Sequence, residues 1–280
     1  MKIQNTFKAN VIWGSLGFSL AIIAALLFDT QQTISYLAAA KAFIFSQFSW
    51  FYILLSAFFL FFLLFLALGR YGDIKLGSDE EEPEFKLGSW IALLFTSGIG
   101  IGIVFLGVAE PLSHFLSPIG EYEKVRTALF FSIFHWSISA WAIYGLIALT
   151  IAYFGFRYKL PFSLRSCFYP LLKEKINGRV GDIIDILGIC TTLFGVVATL
   201  GYSAIRLAAA FHSMHLLDNS PYLVPLILVS VFIIAILISL QGIANGFRIL
   251  SELNLGVTFL FMLLVLLFGP YDIFNFLRLQ

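Results

Sequence analysis

Stretches of about eighteen or more residues with almost no charge recur from one end of this chain to the other, and they constrain its fold more than any other feature. Such a run is long enough to cross a hydrocarbon core about 30 Å thick as an α-helix. Read against turn and charge signals, the apolar runs place about seven spans, at 11–28, 50–69, 89–109, 129–155, 183–211, 222–241 and 253–269. The expected fold is all-α: a polytopic transmembrane helix bundle. A water-soluble globular domain is excluded, because such domains carry roughly a quarter charged residues and this chain carries 12% among 60% hydrophobic.

The 17 basic and 16 acidic residues nearly cancel, so no basic surplus points to nucleic acid. Placement is more informative. With a cytoplasmic N-terminus, one side of the membrane holds Lys2, Lys8, Arg70, Lys75, Lys86, Arg157, Lys159, Arg165, Lys173, Lys175, Arg179 and Arg248. The other holds only Lys41, Lys124, Arg126, Arg206 and Arg278. The positive-inside bias therefore predicts a multi-pass protein of the cell (inner) membrane with its N-terminus in the cytoplasm. Seven spans would leave Gln280 outside. The first run, Val11 to Phe28, shows no convincing small-residue cleavage site and is read as a retained span. An acidic run from Asp79 to Glu84 divides the chain into residues 1–88, two leading helices with a solvated cytoplasmic loop, and residues 89–280, a five-helix block. Cys167 and Cys190 lack metal spacing and are expected to be packing residues.

Two spans carry unusual residues. In the third, Gly98, Gly100 and Gly102 alternate near the middle of the membrane, each costing a helix about 1 kcal/mol relative to alanine. Backbone freed there must be buried in protein or line a cavity, as in the broken helices of secondary transporters; close packing through small residues is the alternative. The fourth span carries Trp136, Trp141 and Tyr144. On a continuous helix at about 100° per residue these share one half of the surface. Clustered rings hold a quaternary ammonium group well, because their faces attract a cation that donates no hydrogen bonds; a core or lipid-facing stripe is the alternative. Glu110, before Pro111, is explained by helix termination or by proton coupling. His212 and His215 have helical spacing but no further evident metal ligand. Thr191 and Thr192 could ligate Na⁺ or bond back to their own helix. An enzyme would need a nucleophile with a base, or a metal cluster, within the spans, and neither is evident.

Three segments resemble the betaine/carnitine/choline transporters: Thr96-Ser-Gly98-Ile-Gly100-Ile-Gly102 continuing through Gly107-Val-Ala-Glu110-Pro111 to His114; Phe134-His135-Trp136 through Trp141 to Tyr144; and Tyr158-Lys-Leu-Pro161 through Arg165 to Tyr169-Pro170. Pieces of the fifth span, Thr192 to Gly195 with Leu200-Gly201, and of the sixth loop, Gly246 to Ser251, are similar too. The resemblance implies two leading helices followed by LeuT-like inverted repeats of five. This chain resembles the leading helices and the first repeat, ending where the second would begin. It implies a secondary transporter, a symporter taking up a quaternary ammonium osmolyte or nutrient, rather than an enzyme. Trp136, Trp141 and Tyr144 would be part of an aromatic cage, with Gly98, Gly100 and Gly102 beside the substrate. No cofactor is implied beyond a coupling ion, Na⁺ or H⁺, with Thr192, Thr96 and Ile99 as candidate ion-binding residues; Val196 replaces the hydroxyl expected one turn after Thr192. Family members that carry choline often have an acidic residue where Gly102 stands, which favours a zwitterion such as glycine betaine. Expected partners are a trimethylammonium substrate, the lipid bilayer, and either a further copy of the chain or a polypeptide supplying the second repeat. The alternative is a non-transporting membrane scaffold or decayed fragment that associates with a partner.

Overall fold

A computed structural model describes residues 8–98, 101–117, 123–217 and 220–269, without the side chains of 97, 101–104, 243 and 244. Helices α1 to α6 are Ala9–Phe28, Thr30–Leu68, Leu87–Gly98, Ile101–Leu116, Lys124–His135 and Ile138–Ala152. Two short helices, α7 (Leu164–Cys167) and α8 (Tyr169–Leu172), precede α9 (Arg179–Ser213), α10 (Leu223–Leu240) and α11 (Arg248–Phe268). Among the described residues there is no strand, and the all-α expectation holds. Among the described residues six segments are long and apolar enough to cross a membrane: Ala9–Phe28, Thr30–Leu68, Lys124–Arg157, Arg179–Ser213, Leu223–Leu240 and Asn245–Phe268. The third expected span is covered instead by α3 and α4, each shorter than the roughly 20 residues a crossing needs. Ile99 and Gly100, between them, lie outside the described residues.

Three boundaries differ from expectation. The second span does not begin near residue 50: α2 has 39 residues and is about 58 Å long. Its start is set by Asp29, whose carboxylate accepts from the Gln32 N–H at 2.9 Å, a side-chain cap for an otherwise unpaired helix donor. Thr30 and Thr33 donate back to Leu26 and Ala25 at 2.7 and 3.0 Å, satisfying the last carbonyls of α1. Nor does Pro111 end a helix. It sits inside α4, which continues to Leu116. The fourth span, expected to be one helix, is α5 and α6, joined through Trp136 and Ser137 and followed by a π-helical turn over Tyr153–Arg157.

The chain gathers into two compact units. The first comprises Met1–Glu81 and Glu110–Val197. Within it α2 packs along α6, where Ser56 donates to the Ser139 carbonyl at 3.4 Å. Gly14 brings α1 against Ile186 so closely that an added Cβ would lie 2.5 Å from the isoleucine Cδ1. The buried Cys190 thiol points to the Ser15 carbonyl, and Phe18 meets Phe194 edge to face. Cys167, in the loop, is half-buried, and burial pushes its thiol up. The acidic run is anchored at one end: Asp79 and the Gly77 carbonyl both accept from Arg157, at 2.8 and 3.0 Å. The backbone N–H and hydroxyl of Ser78 hold the exposed Glu81 carboxyl below the usual range.

The strongest polar contacts of this unit converge on Arg165, whose side chain is 7% exposed. Its guanidinium donates to Asp185, to Asp182 at 3.1 Å and to the Ile176 carbonyl at 3.3 Å, and its backbone N–H donates to Asp185 at 3.0 Å. Lys8 also reaches Asp182, at 3.1 Å, and the Asn177 carbonyl. One buried cation thus ties the loop before α9, the start of α9 and, through Asp182, the start of α1.

The second unit comprises Glu82–Ala109 and Ala198–Gln280. Here α3 packs along α11 around Ala92, which is fully buried. Ser89 donates to Glu252, Thr96 donates to the Ser251 carbonyl at 3.3 Å, and Asn254 donates to the Thr96 hydroxyl at 3.2 Å. After α10 the chain turns at Gly242, whose φ of +75° lies in the left-handed region that glycine enters without strain.

Removing a partner from a buried, hydrogen-bonded ion cluster leaves charge uncompensated and costs about 3–5 kcal/mol. Arg165→Ala is therefore expected to destabilise the detergent-solubilised chain by that amount, measured as a shift in its unfolding midpoint. Lys8→Ala, at a third-exposed position, should cost no more than about 1 kcal/mol. Equal effects would show that Arg165 does not hold the cluster.

Candidate functional site

The break between α5 and α6 organises the aromatic residues singled out in the fourth span. At Ser137 the backbone leaves helical geometry, with ψ at −179°. A broken helix strands carbonyls that have no ladder partner, and in an apolar medium each must find another donor. The Phe134 carbonyl accepts the Ser137 backbone N–H at 3.3 Å, and the Ser137 hydroxyl adds a second donor to it at 2.8 Å. For the Trp136 carbonyl the Trp141 indole N–H supplies the donor, at 3.2 Å. Trp141 is thereby pinned by its edge, and its ring sits 5.9 Å from that of Tyr144, tilted by 42°.

Trp136 is placed differently. The angular argument that put it beside Trp141 and Tyr144 assumed a continuous helix, and the helix is not continuous there. Its indole N–H donates to Glu110 at 2.9 Å, and its ring lies 5.1 Å from the His135 imidazole. Glu110, with 13% of its side chain exposed, also accepts from His135 Nδ1 at 2.6 Å and lies 3.6 Å from His114 Nε2. One carboxylate of α4 therefore gathers two donors from the end of α5, with the His114 ring close beside it. Neither explanation offered for Glu110 from the sequence, helix termination or proton coupling, anticipates this tie. The available signal was the adjacency of His135 and Trp136, two indole or imidazole donors in an apolar run that would need an acceptor at the same depth.

Of the glycines, Gly98 closes α3 and Gly102 lies in the first turn of α4, while Gly100 is outside the described residues. The candidate ion ligands are not equivalent. Thr96 has its donor and one of its two lone pairs engaged by α11, Ile99 is outside the described residues, and Thr191 bonds back to Leu187 at 2.8 Å. Thr192 is exposed and its hydroxyl has no hydrogen-bond partner among the described residues. Among those residues, too, no group of three His, Cys, Asp or Glu side chains could hold a metal ion.

Compared with known proteins, the chain matches the betaine/carnitine/choline family transporters over residues 10–277. It is 47% identical over 274 residues to a transporter of Haemophilus influenzae, covering 96% of this chain and 41% of that protein. It is 40% identical to the glycine betaine transporter OpuD of Bacillus subtilis, covering 86% of this chain and 48% of the relative. It is 36% identical to the high-affinity choline transport protein of Escherichia coli, covering 79% and 33%. The chain thus spans less than half the length of each of these relatives.

Glu110→Ala would leave the half-buried Trp136 indole N–H without an acceptor and release the exposed His135, which costs about 1–3 kcal/mol. The expected result is a lower unfolding midpoint together with a shift in tryptophan emission from the released Trp136 indole. Trp136→Phe in the same assay should cost less, about 1 kcal/mol, because only one hydrogen bond is lost.

Proposed function

The chain belongs to the betaine/carnitine/choline transporter family, and we propose that it carries part of the binding site of a secondary active transporter for a quaternary ammonium compound. It is a multi-pass membrane protein whose named relatives are transporters rather than enzymes. The observation that carries the proposal is the Trp141–Tyr144 ring pair. Trp141 is held by its N–H, which leaves its face available, and a trimethylammonium group has no donor with which to satisfy anything but ring faces. Relatives named for glycine betaine and for choline share that group.

In the proposed mechanism Trp136 serves the cage through its backbone carbonyl, which holds Trp141, and the bundle rocks to give alternating access. Tyr144 is 71% exposed among the described residues, which supports completion of the cage by further polypeptide, either a second repeat or another copy of the chain. The inner membrane is the proposed location, with the N-terminus cytoplasmic, on the strength of the basic-residue bias. Na⁺ or H⁺ is the proposed coupling ion. Thr192, with a hydroxyl not already engaged, is a better candidate ligand than Thr96.

Binding of radiolabelled glycine betaine and choline to the purified chain tests the proposal. Trp141→Ala should abolish binding of both, and Tyr144→Ala should weaken it by about threefold to thirtyfold, as expected for one ring facing a cation. Trp141→Phe keeps a ring but not the N–H and should retain most of the binding, which separates a cage role from a folding role. Undiminished binding by Trp141→Ala, or no binding by the unaltered chain, would overturn the proposal.

A further inference from the structure

The loop between the membrane-crossing segments that end at Arg157 and begin at Arg179 carries cations that nothing so far described uses. Across residues 158–181 the basic residues are Lys159, Arg165, Lys173, Lys175 and Arg179, and the only acidic one is Glu174, which accepts from the Asn177 amide at 3.1 Å. The two carboxylates at the start of α9, Asp182 and Asp185, are taken by Arg165 and Lys8. Lys159, Lys173, Lys175 and Arg179 are exposed, and among the described residues none of their side chains has a hydrogen bond or an ion pair. The acidic run does not serve them: Asp79 is held by Arg157 and Glu81 by Ser78, and Lys159 acts on Glu81 only through space.

Two of these lysines stand where the backbone favours glycine. Lys159 has φ of 57° and Lys173 has φ of 47°. At Lys173 ψ is −127°, a combination that glycine enters freely and a residue with a Cβ resists. The turn there closes α8, with the Lys173 backbone N–H donating to the Tyr169 carbonyl, and a glycine would make it without strain. The chain therefore carries strain at two positions whose side chains make no hydrogen bond or ion pair to offset it. Strain that nothing within the molecule uses is a mark of a use outside it.

The surroundings of the lysines identify the partner. The Tyr158 ring lies 5.2 Å from that of Phe154 and 6.0 Å from that of Tyr169, and Phe156 and Phe162 meet at 4.9 Å. Phe156, Tyr158, Phe162 and Leu171 are exposed. Aromatic rings at the ends of spans sit at the level of the lipid headgroups, and a loop of about twenty residues joining two spans stays at that level. Exposed rings beside unpaired cations fit a negatively charged lipid surface, where rings enter the interface and cations meet phosphates. A soluble anion would have no use for the rings.

We propose that Lys159, Lys173, Lys175 and Arg179 form a binding surface for the phosphate groups of anionic phospholipids. The surface does not depend on which substrate the chain carries.

The test titrates the whole chain in uncharged detergent with phosphatidylglycerol and, separately, with phosphatidylcholine, and counts bound lipid by native mass spectrometry. Phosphatidylglycerol should bind at least about tenfold more tightly. A cation near a charged lipid surface is worth about a fivefold change in affinity. Lys159→Gly and Lys173→Gly should therefore each weaken phosphatidylglycerol binding about fivefold, and together about twenty-five-fold. Because glycine relieves the backbone strain, both variants should keep or raise the unfolding midpoint, a split that a residue needed only for folding would not give. Lys173→Gln, which removes the charge and keeps the Cβ, should weaken binding as much as Lys173→Gly. Equal binding of the two lipids, unchanged affinity in the glycine variants, or lost affinity with a lowered midpoint would each overturn the proposal. Saturation of the surface by a polyglutamate peptide, with no preference between the lipids, would make it a protein-docking face and overturn the proposal as well.

Discussion

In hydrocarbon a backbone carbonyl cannot fall back on water, and this constraint governs the parts of the chain that are not plain helix. Most of α1, α2, α10 and α11 meets it trivially, through their own hydrogen-bond ladders. The break at Trp136 and Ser137 does not, and the side chains around it are committed accordingly: Trp141 to the Trp136 carbonyl, Ser137 to the Phe134 carbonyl beside its backbone donors, His135 and Trp136 to Glu110. The aromatic residues are therefore structural and exposed at once. A ring pinned by its polar edge presents its face in a fixed orientation, which is the pre-organisation that recognition of a donor-free cation needs.

The same logic operates at the ends of helices. Asp29 caps α2 while Thr30 and Thr33 satisfy the end of α1, so two helices meet with one residue between them. At the start of α9 the buried guanidinium of Arg165 is tolerated because it is matched by Asp182, Asp185 and a carbonyl. A lysine placed there could not reach all three acceptors from one planar group.

Much of this fold was legible in the sequence, because apolar runs long enough to span a membrane have few other uses. The existence and order of the spans followed from that, as did the helical class. What escaped were features set by single side chains. The stretch from Thr30 to Trp50 mixes small and polar residues and gave no span signal, yet the Asp29 cap and unbroken propensity carry α2 through it. Pro111 looked like a terminus, but in an apolar surrounding α4 tolerates one missing hydrogen bond and continues. The α5–α6 break has no proline or glycine to announce it and depends on tertiary acceptors such as Glu110, which no local pattern reveals. Residue identities in the candidate site were legible for the same reason that the geometry was not: tryptophans deep in a span are conspicuous, but their azimuths presuppose a helix.

Thr96 shows how this bears on function. The family resemblance makes it a candidate ion ligand, and its hydroxyl donates to the Ser251 carbonyl and accepts from the Asn254 amide. A cation binding there has only one free lone pair of that oxygen to use and must sit beside the Asn254 amide donor that occupies the other, an unfavourable juxtaposition. Thr192 carries no such cost, since its hydroxyl is not engaged. The energetic distinction between the two threonines comes from α11, a helix whose sequence offers no hint of it. Sites in a protein of this kind are thus decided less by which polar residues enter the membrane than by which of them the helices leave unspent.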